Sequence, residues 1–281
     1  MNAEGQMTWE EAVRWYRAQP GNDEAVSANY FDLPVRAAAE RYFGGEEFAE
    51  VAQLLGPGNG RAVLDLGAGN GIASFALARA QWKVTAIEPD PSEEVGAGAI
   101  RALQNEFGLP VEVVAFTADG LPFAEASFDA VFARQVLHHV PDPAHTMREL
   151  FRILKPGGTL LAIREHVVRD AAELRAFREN HPLHRHYGGE NAHPLDAYLT
   201  AAKAAGFAVQ AVWGPLESIL NFAPRPESER QAQIQRIARE RWCGLGRLFA
   251  WSQGFVEASV HSATSQNASP GRIYSFLFRK P

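Results

Sequence analysis

The chain is short of several things. It has one cysteine, Cys243, in 281 residues, so no disulfide can close within it, and a reducing compartment is expected. It has no basic excess: 27 Lys and Arg stand against 33 Asp and Glu, a formal net charge of −6. No block of like charges occurs, so the footprint of a nucleic-acid or anionic-membrane binder is missing. The expected partner is a small molecule, with no nucleic acid and no membrane. No stretch approaches the ~20 apolar residues that span a bilayer. The opening MNAEGQMTWEE lacks the basic start and apolar run of a signal peptide. These absences lead us to expect a soluble, cytoplasmic protein. There is also no internal repeat and no low-complexity tract. What is present is a chain 46% hydrophobic, enough for one sizeable core with an attached lid.

The order of elements follows from periodicity and punctuation. Thr8-Trp9-Glu10-Glu11 fits a capping box opening a helix that Pro20-Gly21 ends. Further helices are predicted over Pro34–Phe43 and Glu46–Leu55, before the linker Gly56-Pro57-Gly58-Asn59-Gly60. Residues 1–60 then read as a helical cap. From Arg61, short apolar runs alternate with helical ones. The runs are Ala62–Leu66, Val84–Ile87, Val111–Phe116, Phe128–Ala133 and Thr159–Ile163; helices are predicted over Ile72–Ala80, Glu93–Phe107 and Ala144–Leu154. Such alternation implies an α/β fold with a mostly parallel sheet covered on both faces. Regularity lapses over 167–193. A helix over Pro194–Ala205 and a strand over Phe207–Trp213 follow. The stretch 214–271 reads as an insertion with one helix over Pro226–Trp242, and Arg272–Phe278 closes the chain as a seventh strand. Residues 61–281 thus form one domain with lid-like insertions at 167–193 and 214–271.

The segment Leu64-Asp65-Leu66-Gly67-Ala68-Gly69-Asn70-Gly71 is a strand running into a glycine turn. Gly67 and Gly69 let the backbone approach a ligand, and the next helix points free N–H groups at it. A dinucleotide fingerprint would place a small residue at the sixth position, where Ile72 stands. Asp65 would repel a pyrophosphate but suits an amino group. An α-amino acid meets both needs, with its carboxylate at the helix and its ammonium toward the acid. Glu88 ends the second strand, where a carboxylate can accept from both ribose hydroxyls, although NAD enzymes use the same position. Asp119, after the third strand, can accept from an adenine amine. Amino acid, ribose and adenine together describe S-adenosylmethionine.

LDLGAGNG, the acid of AIEPD, ADGLPFAEASFDAV, VLHHV and the LKPGG turn make the chain resemble a class I S-adenosylmethionine-dependent methyltransferase. It is similar to the "type 11" and ubiquinone/menaquinone-biosynthesis members over roughly residues 61–165. The resemblance implies a Rossmann-like seven-stranded sheet with an antiparallel last strand. It implies S-adenosyl-L-methionine as donor and S-adenosyl-L-homocysteine as product. By position, Asp65, Gly67, Ala68 and Gly69 would meet the methionine part, Glu88 and Pro89 the ribose, Asp119 and Gly120 the adenine. Arg134 and Gln135 would line the methyl pocket, although the family usually has a small residue where Arg134 stands.

Methyl transfer is an in-line displacement, so the protein mainly aligns the reactants and excludes water. A base is needed only for an acceptor that must lose a proton. Candidates sit at strand ends facing the cleft: His138 and His139 after the fourth strand, Glu165 and His166 after the fifth. Arg164 and Glu165 should face opposite sides of the sheet. The run His181 to His193 is either a solvated loop or a lid whose His184, His186, Tyr187, Glu190 and Asn191 bind a polar acceptor. A metal on His184-x-His186 with Glu190 is the third reading, but the spacing matches no zinc pattern, and no metal is expected. Tyr30 either reaches the acceptor or packs the cap. The stretch Trp242–Trp251 could complete the lid or form a dimer contact; monomer and homodimer both suit this reading. Asp129 reads as a structural turn residue and Lys155 as a partner of its helix dipole. No Asn/Asp-Pro-Pro-Tyr-like run follows the fourth strand, which argues against nucleobase and glutamine-amide acceptors. The expected activity is methyl transfer to a small molecule at oxygen. The rivals are a non-catalytic binder of the same donor and a nicotinamide-dependent oxidoreductase.

Overall fold

The computed structural model describes residues 7–115, 120–241, 249, 252–267 and 269–281. Four helices lead: α1 (Trp9–Arg17), α2 (Asp23–Ala28), α3 (Val35–Phe43) and α4 (Glu46–Leu55). The capping box is formed, with the Glu11 N–H donating to Thr8 Oγ1 at 3.3 Å and the Thr8 N–H to Glu11 Oε2 at 2.8 Å. Helix α2 carries no strong periodicity and was not anticipated. The alternating part runs β1 (Ala62–Leu66), α5 (Ile72–Arg79), β2 (Lys83–Ile87), α6 (Ala97–Phe107), β3 (Val111–Val114), β4 (Phe128–Arg134), α7 (Pro143–Ile153) and β5 (Leu154–Val167). Then come α8 (Ala171–Asn180), α9 (His184–Tyr187), α10 (Leu195–Ala205), β6 (Ala208–Trp213), α11 (Glu227–Glu240), α12 (Gln253–Gln266) and β7 (Arg272–Arg279).

Among the described residues the strands form one sheet in the order β3-β2-β1-β4-β5-β7-β6, with β7 antiparallel to both neighbours. The strands alternate their side chains between two faces. In β1, Val63 joins one apolar cluster with Tyr42, Phe48, Phe75 and Trp82, while Leu64 joins another with Met147, Leu150, Tyr198 and Phe276. Helices α3 and α4 of the cap belong to the first cluster, so part of the cap shares the sheet's core. The strand order reverses between β1 and β4, and at such a switch point a crevice opens beyond the carboxyl ends of the strands.

Three boundaries moved for visible reasons. Helix α6 starts at Ala97, not Glu93, because the Ala97 and Gly98 N–H groups fold back onto the carbonyls of Asp90 (2.7 Å) and Ser92 (3.0 Å). Strand β5 reaches Val167 because β7 continues to pair with it there, Val167 against Arg272. The stretch 167–193 is partly helical: Asp170 caps α8 by accepting from the Ala172 and Glu173 N–H groups. Arg164 has φ of 60° at an irregularity in the β5–β7 pairing, and both it and Glu165 are buried. Asp129 is structural, accepting from the Ala62 N–H at 2.9 Å and the Lys155 ammonium at 2.8 Å. Lys155 therefore pairs with Asp129 instead of serving the α7 dipole. No described helix is long and apolar enough to cross a membrane.

One ion cluster ties the cap to the sheet. Glu47 of α4 is 1% exposed. It accepts from Arg134 Nε at 2.6 Å, and Arg164 Nη1 lies 3.8 Å from its other oxygen. The Arg134 guanidinium also lies over the rings of Tyr30 and Tyr42. Breaking a buried pair by removing one partner strands the other charge and costs about 3–5 kcal/mol. Glu47→Gln should therefore lower the urea unfolding free energy by roughly that amount, and a loss well under 1 kcal/mol would show the cluster to be hydrated.

Candidate active site

The glycine turn sits at the carboxyl end of β1, facing the crevice. Gly67 has φ of 63°, and a Cβ there would come within 2.8 Å of Val136 Cγ2, so the turn can press against the residues that follow β4 only with glycine. Glu88 at the end of β2 braces the same turn. Its Oε2 accepts from the Gly69 N–H at 2.7 Å and its Oε1 from the Asp90 N–H at 2.9 Å. A carboxylate has further lone pairs beyond those two, and Glu88 lies on the wall of a cavity of about 710 Å³. Asp65, 1% exposed, lines the same cavity and accepts from the Ser74 hydroxyl at 2.6 Å. Burial, with some help from Glu88, pushes the Asp65 carboxyl up to about 7. Among the described residues no side-chain cation forms a salt bridge with it, Arg134 acting on it only from a distance, which suits it to meet a cation brought by a ligand. Burial likewise raises Glu88.

The cavity continues past the turn to a cluster of rings. Its wall there is made by Gln135, His138, His139, His166, His181 and Glu190. Glu165 organises this end without touching it. Fully buried, it accepts from the Val136 N–H (3.1 Å), the His138 N–H (3.0 Å) and His138 Nδ1 (2.7 Å). His166 Nδ1 lies 2.6 Å from the Gly271 carbonyl, an acceptor only, so that nitrogen carries the proton and Nε2 keeps its lone pair. Burial, reinforced by His138, lowers His166 to about 3; burial lowers His181 to about 4 and holds His138 well below the ordinary histidine range. These rings are neutral at pH 7.

The histidine-rich segment reaches the cavity through its Gly-Gly turn. Gly188 and Gly189 have φ of 83° and 86°, a conformation side chains resist, and it swings Glu190 back toward His138. Arg178 holds the returning chain by donating to the Glu190 carbonyl (2.7 Å) and to Asn191 Oδ1 (2.9 Å). Burial pushes Glu190 up to about 7.

Of the residues singled out from sequence, the cavity gathers Asp65, Gly67, Ala68, Gly69, Glu88, Pro89, Arg134, Gln135, His139, His166, Tyr187, Glu190 and Asn191. Others fall elsewhere. Glu165 does not face an acceptor; its oxygens are taken by the turn after β4. Tyr30 is 3% exposed and packs edge-on against Tyr42, so it belongs to the cap's core. His184 and His186 are off the cavity wall. His186 instead stacks on Trp15, ring centroids 4.2 Å apart, and its carbonyl accepts from the Met7 N–H. Arg134 reaches the wall, but its guanidinium is committed to Glu47 and to Gln135 Oε1. Gly120 is not on the wall, and Asp119 and all of the stretch Trp242–Trp251 but residue 249 lie outside the described residues. Sequence reasoning missed Glu47 and Trp9 as residues that hold or line the site. Their only signal was ordinary helix composition.

Comparison with known proteins agrees with this geometry. Residues 64–162 match a family model described as a methyltransferase domain. The chain is 33% identical over 145 residues to a ubiquinone biosynthesis O-methyltransferase of Rhizobium johnstonii, covering 51% of this chain and 57% of that protein. It is also 33% identical over 147 residues to an uncharacterized methyltransferase of Mycobacterium marinum, covering 46% and 55%. The matched part thus spans about half the length of these curated relatives. A solved geranyl diphosphate methyltransferase in complex with SAM superposes with a TM-score of 0.58 at 16% identity, over 98% of this chain and 96% of that one; this likeness is one of fold. Residues 64–162, from β1 to β5, therefore match a methyltransferase domain, and the chain shares the fold of solved methyltransferases.

Proposed function

We propose that the protein transfers a methyl group from S-adenosylmethionine to a small-molecule acceptor, at oxygen. The observation that carries this reading is the continuity of one cavity. A donor-type glycine turn with Asp65 and Glu88 forms one end, and a cluster of neutral histidines around the buried His138 forms the other. A non-catalytic binder of the same donor would have no use for a walled space beyond the methyl pocket. A nicotinamide enzyme is disfavoured by Asp65 and by the bulk of Ile72.

The residues present suit the donor. Asp65 is a buried acid with no salt bridge among the described residues, which suits it to take an ammonium. The Gly67–Gly69 turn allows close backbone approach, and Glu88 offers carboxylate lone pairs for ribose hydroxyls. We assign the adenine end to Asp119 and Gly120. When bound, S-adenosylmethionine supplies an electrophilic methyl whose sulfonium leaving group needs no acid. The protein's own work is to exclude water and to orient the acceptor. His166 Nε2 is positioned to accept a hydrogen bond from an acceptor hydroxyl. Because its protonation is suppressed, it orients a hydroxyl better than it removes its proton at neutral pH.

Three measurements test this. Glu88→Ala should weaken S-adenosylhomocysteine binding in calorimetry by about ten- to a hundredfold, the size of a charged hydrogen-bond loss of about 1.5–3 kcal/mol; unchanged affinity would remove the ribose assignment. In the free protein Asp65 is protonated below about pH 7 and must ionise to meet the ligand's ammonium. Affinity should therefore be flat above pH 7 and fall by up to about tenfold per pH unit below it, and Asp65→Asn should flatten that profile. His166→Ala should lower turnover of a hydroxylated acceptor, read as S-adenosylhomocysteine formed, far more than donor affinity. Equal loss in both would take His166 off the acceptor side.

A further inference from the structure

We infer that His138, His139 and Glu190 form a binding site for one divalent transition-metal ion of the zinc class at the acceptor end of the cavity. One ligand atom from each of the three lies within 4.8 Å of the others, and all three residues line the cavity. The hydrogen bonds fix which atoms are free. His138 Nδ1 donates to the Glu165 carboxylate, which already accepts two backbone N–H groups, so Nε2 keeps its lone pair. His139 Nδ1 faces the Gly189 carbonyl at 3.1 Å, which can only accept, so His139 Nε2 is also a lone pair. Glu190 is 5% exposed, and its Oε2 is buried without a hydrogen-bond partner.

That oxygen lies 3.5 Å from His138 Nε2. A carboxylate oxygen and an imidazole lone pair that face each other in a buried space repel unless a cation lies between them. Two ligands about 2.1 Å from a tetrahedral zinc stand about 3.4 Å apart, so the spacing already matches. The carboxylate behind His138 is the outer support that metal-bound imidazoles usually have. His181 completes the setting. Its Nδ1 accepts from the His184 N–H at 3.2 Å, so its Nε2–H points at Glu190 Oε1, 3.6 Å away, and steadies the carboxylate. An imidazole, imidazole, carboxylate set selects zinc, cobalt or iron(II) over magnesium. The remaining coordination positions open into the cavity.

Neither a heptad nor a zinc-finger spacing announces this site. The sequence offers His184-x-His186 as the obvious chelate, and those two rings lie off the cavity. The ligands come from the turn after β4 and from a glycine-hinged loop about fifty residues later, joined by the His139–Gly189 contact and by the Asn191 N–H donating to the His138 carbonyl at 2.8 Å.

The test reads metal binding alone and so stands apart from methyl transfer. Protein freed of metal by chelator dialysis is titrated with zinc chloride in calorimetry, and with cobalt(II) in visible spectroscopy. We expect one equivalent of zinc per chain, ligand-field bands with cobalt, and no comparable binding of magnesium. Glu190→Gln and His139→Asn should each weaken zinc at least about tenfold, Glu165→Gln about 10–100-fold through the loss of outer support, and His186→Ala not at all. Circular dichroism checks that each variant is folded, and His139→Asn, at an exposed position, covers the case in which the buried variants are not. Absence of stoichiometric zinc, or equal binding by wild type, Glu190→Gln and His139→Asn, would overturn the site. In that case the Glu190–His138 pair shares a proton instead.

Discussion

The hydrogen bonds that converge on the Glu165 carboxylate hold the whole active end of this molecule in place. Backbone N–H groups at the start of a turn have no partner within the strand they leave, and a buried carboxylate needs several donors to be tolerable. Glu165 answers both needs at once. It sits at the end of β5 and takes the N–H groups of Val136 and His138 and the His138 ring. The turn after β4 is therefore fixed to the neighbouring strand and not to itself. Val136 can then close against Gly67 on one side, and His138 can present Nε2 to the cavity on the other. The two ends of the cavity are aligned through this one side chain, which is not itself on the cavity wall.

A second constraint is that the cavity is roofed by segments far away in the chain. The cap is held to the sheet by Glu47 and Arg134 and to the glycine turn by Asn70, whose amide donates to the Tyr30 carbonyl at 2.7 Å. The segment with α8 and α9 leans on α1 through Trp9 against Tyr187 and Trp15 against His186. Burial under this roof raises Asp65 and Glu190 and lowers His166 and His181. The site thus suppresses its own charges and is poised for ligands that carry positive charge. An ammonium at one end and a metal ion at the other are the two cations it would accept.

Much of the fold was legible because it follows from local pattern. The strands at Ala62–Leu66 and Phe128–Arg134 are apolar runs bounded by turn residues. Helix α1 carries a full capping box, and the antiparallel last strand was what the family resemblance implied. The placing of Asp65, the glycine turn and Glu88 on one cavity wall was legible for the same reason: all sit at strand ends. Legibility failed where one residue could serve two masters. Tyr30 and Arg134 have the chemistry of ligand contacts, yet Tyr30 packs in the core and Arg134 is spent on Glu47. His184 and His186 have chelate spacing, yet the helical turn of α9 aims His186 at Trp15. Glu165 stands beside the cleft in sequence, yet its oxygens turn inward.

The sequence by itself determined where the strands, the helices and the glycine turn lie and which acids stand at strand ends. Those depend on neighbours in the chain: periodicity, glycine placement and charge at strand ends. Only the tertiary structure decided which polar side chains face the cavity and which are consumed in holding it. That choice depends on pairings across about 25 to 90 residues of separation, Glu165 with His138, Glu190 with His138 and Glu47 with Arg134. A buried charge must find its partner in space, and nothing in the local pattern names that partner.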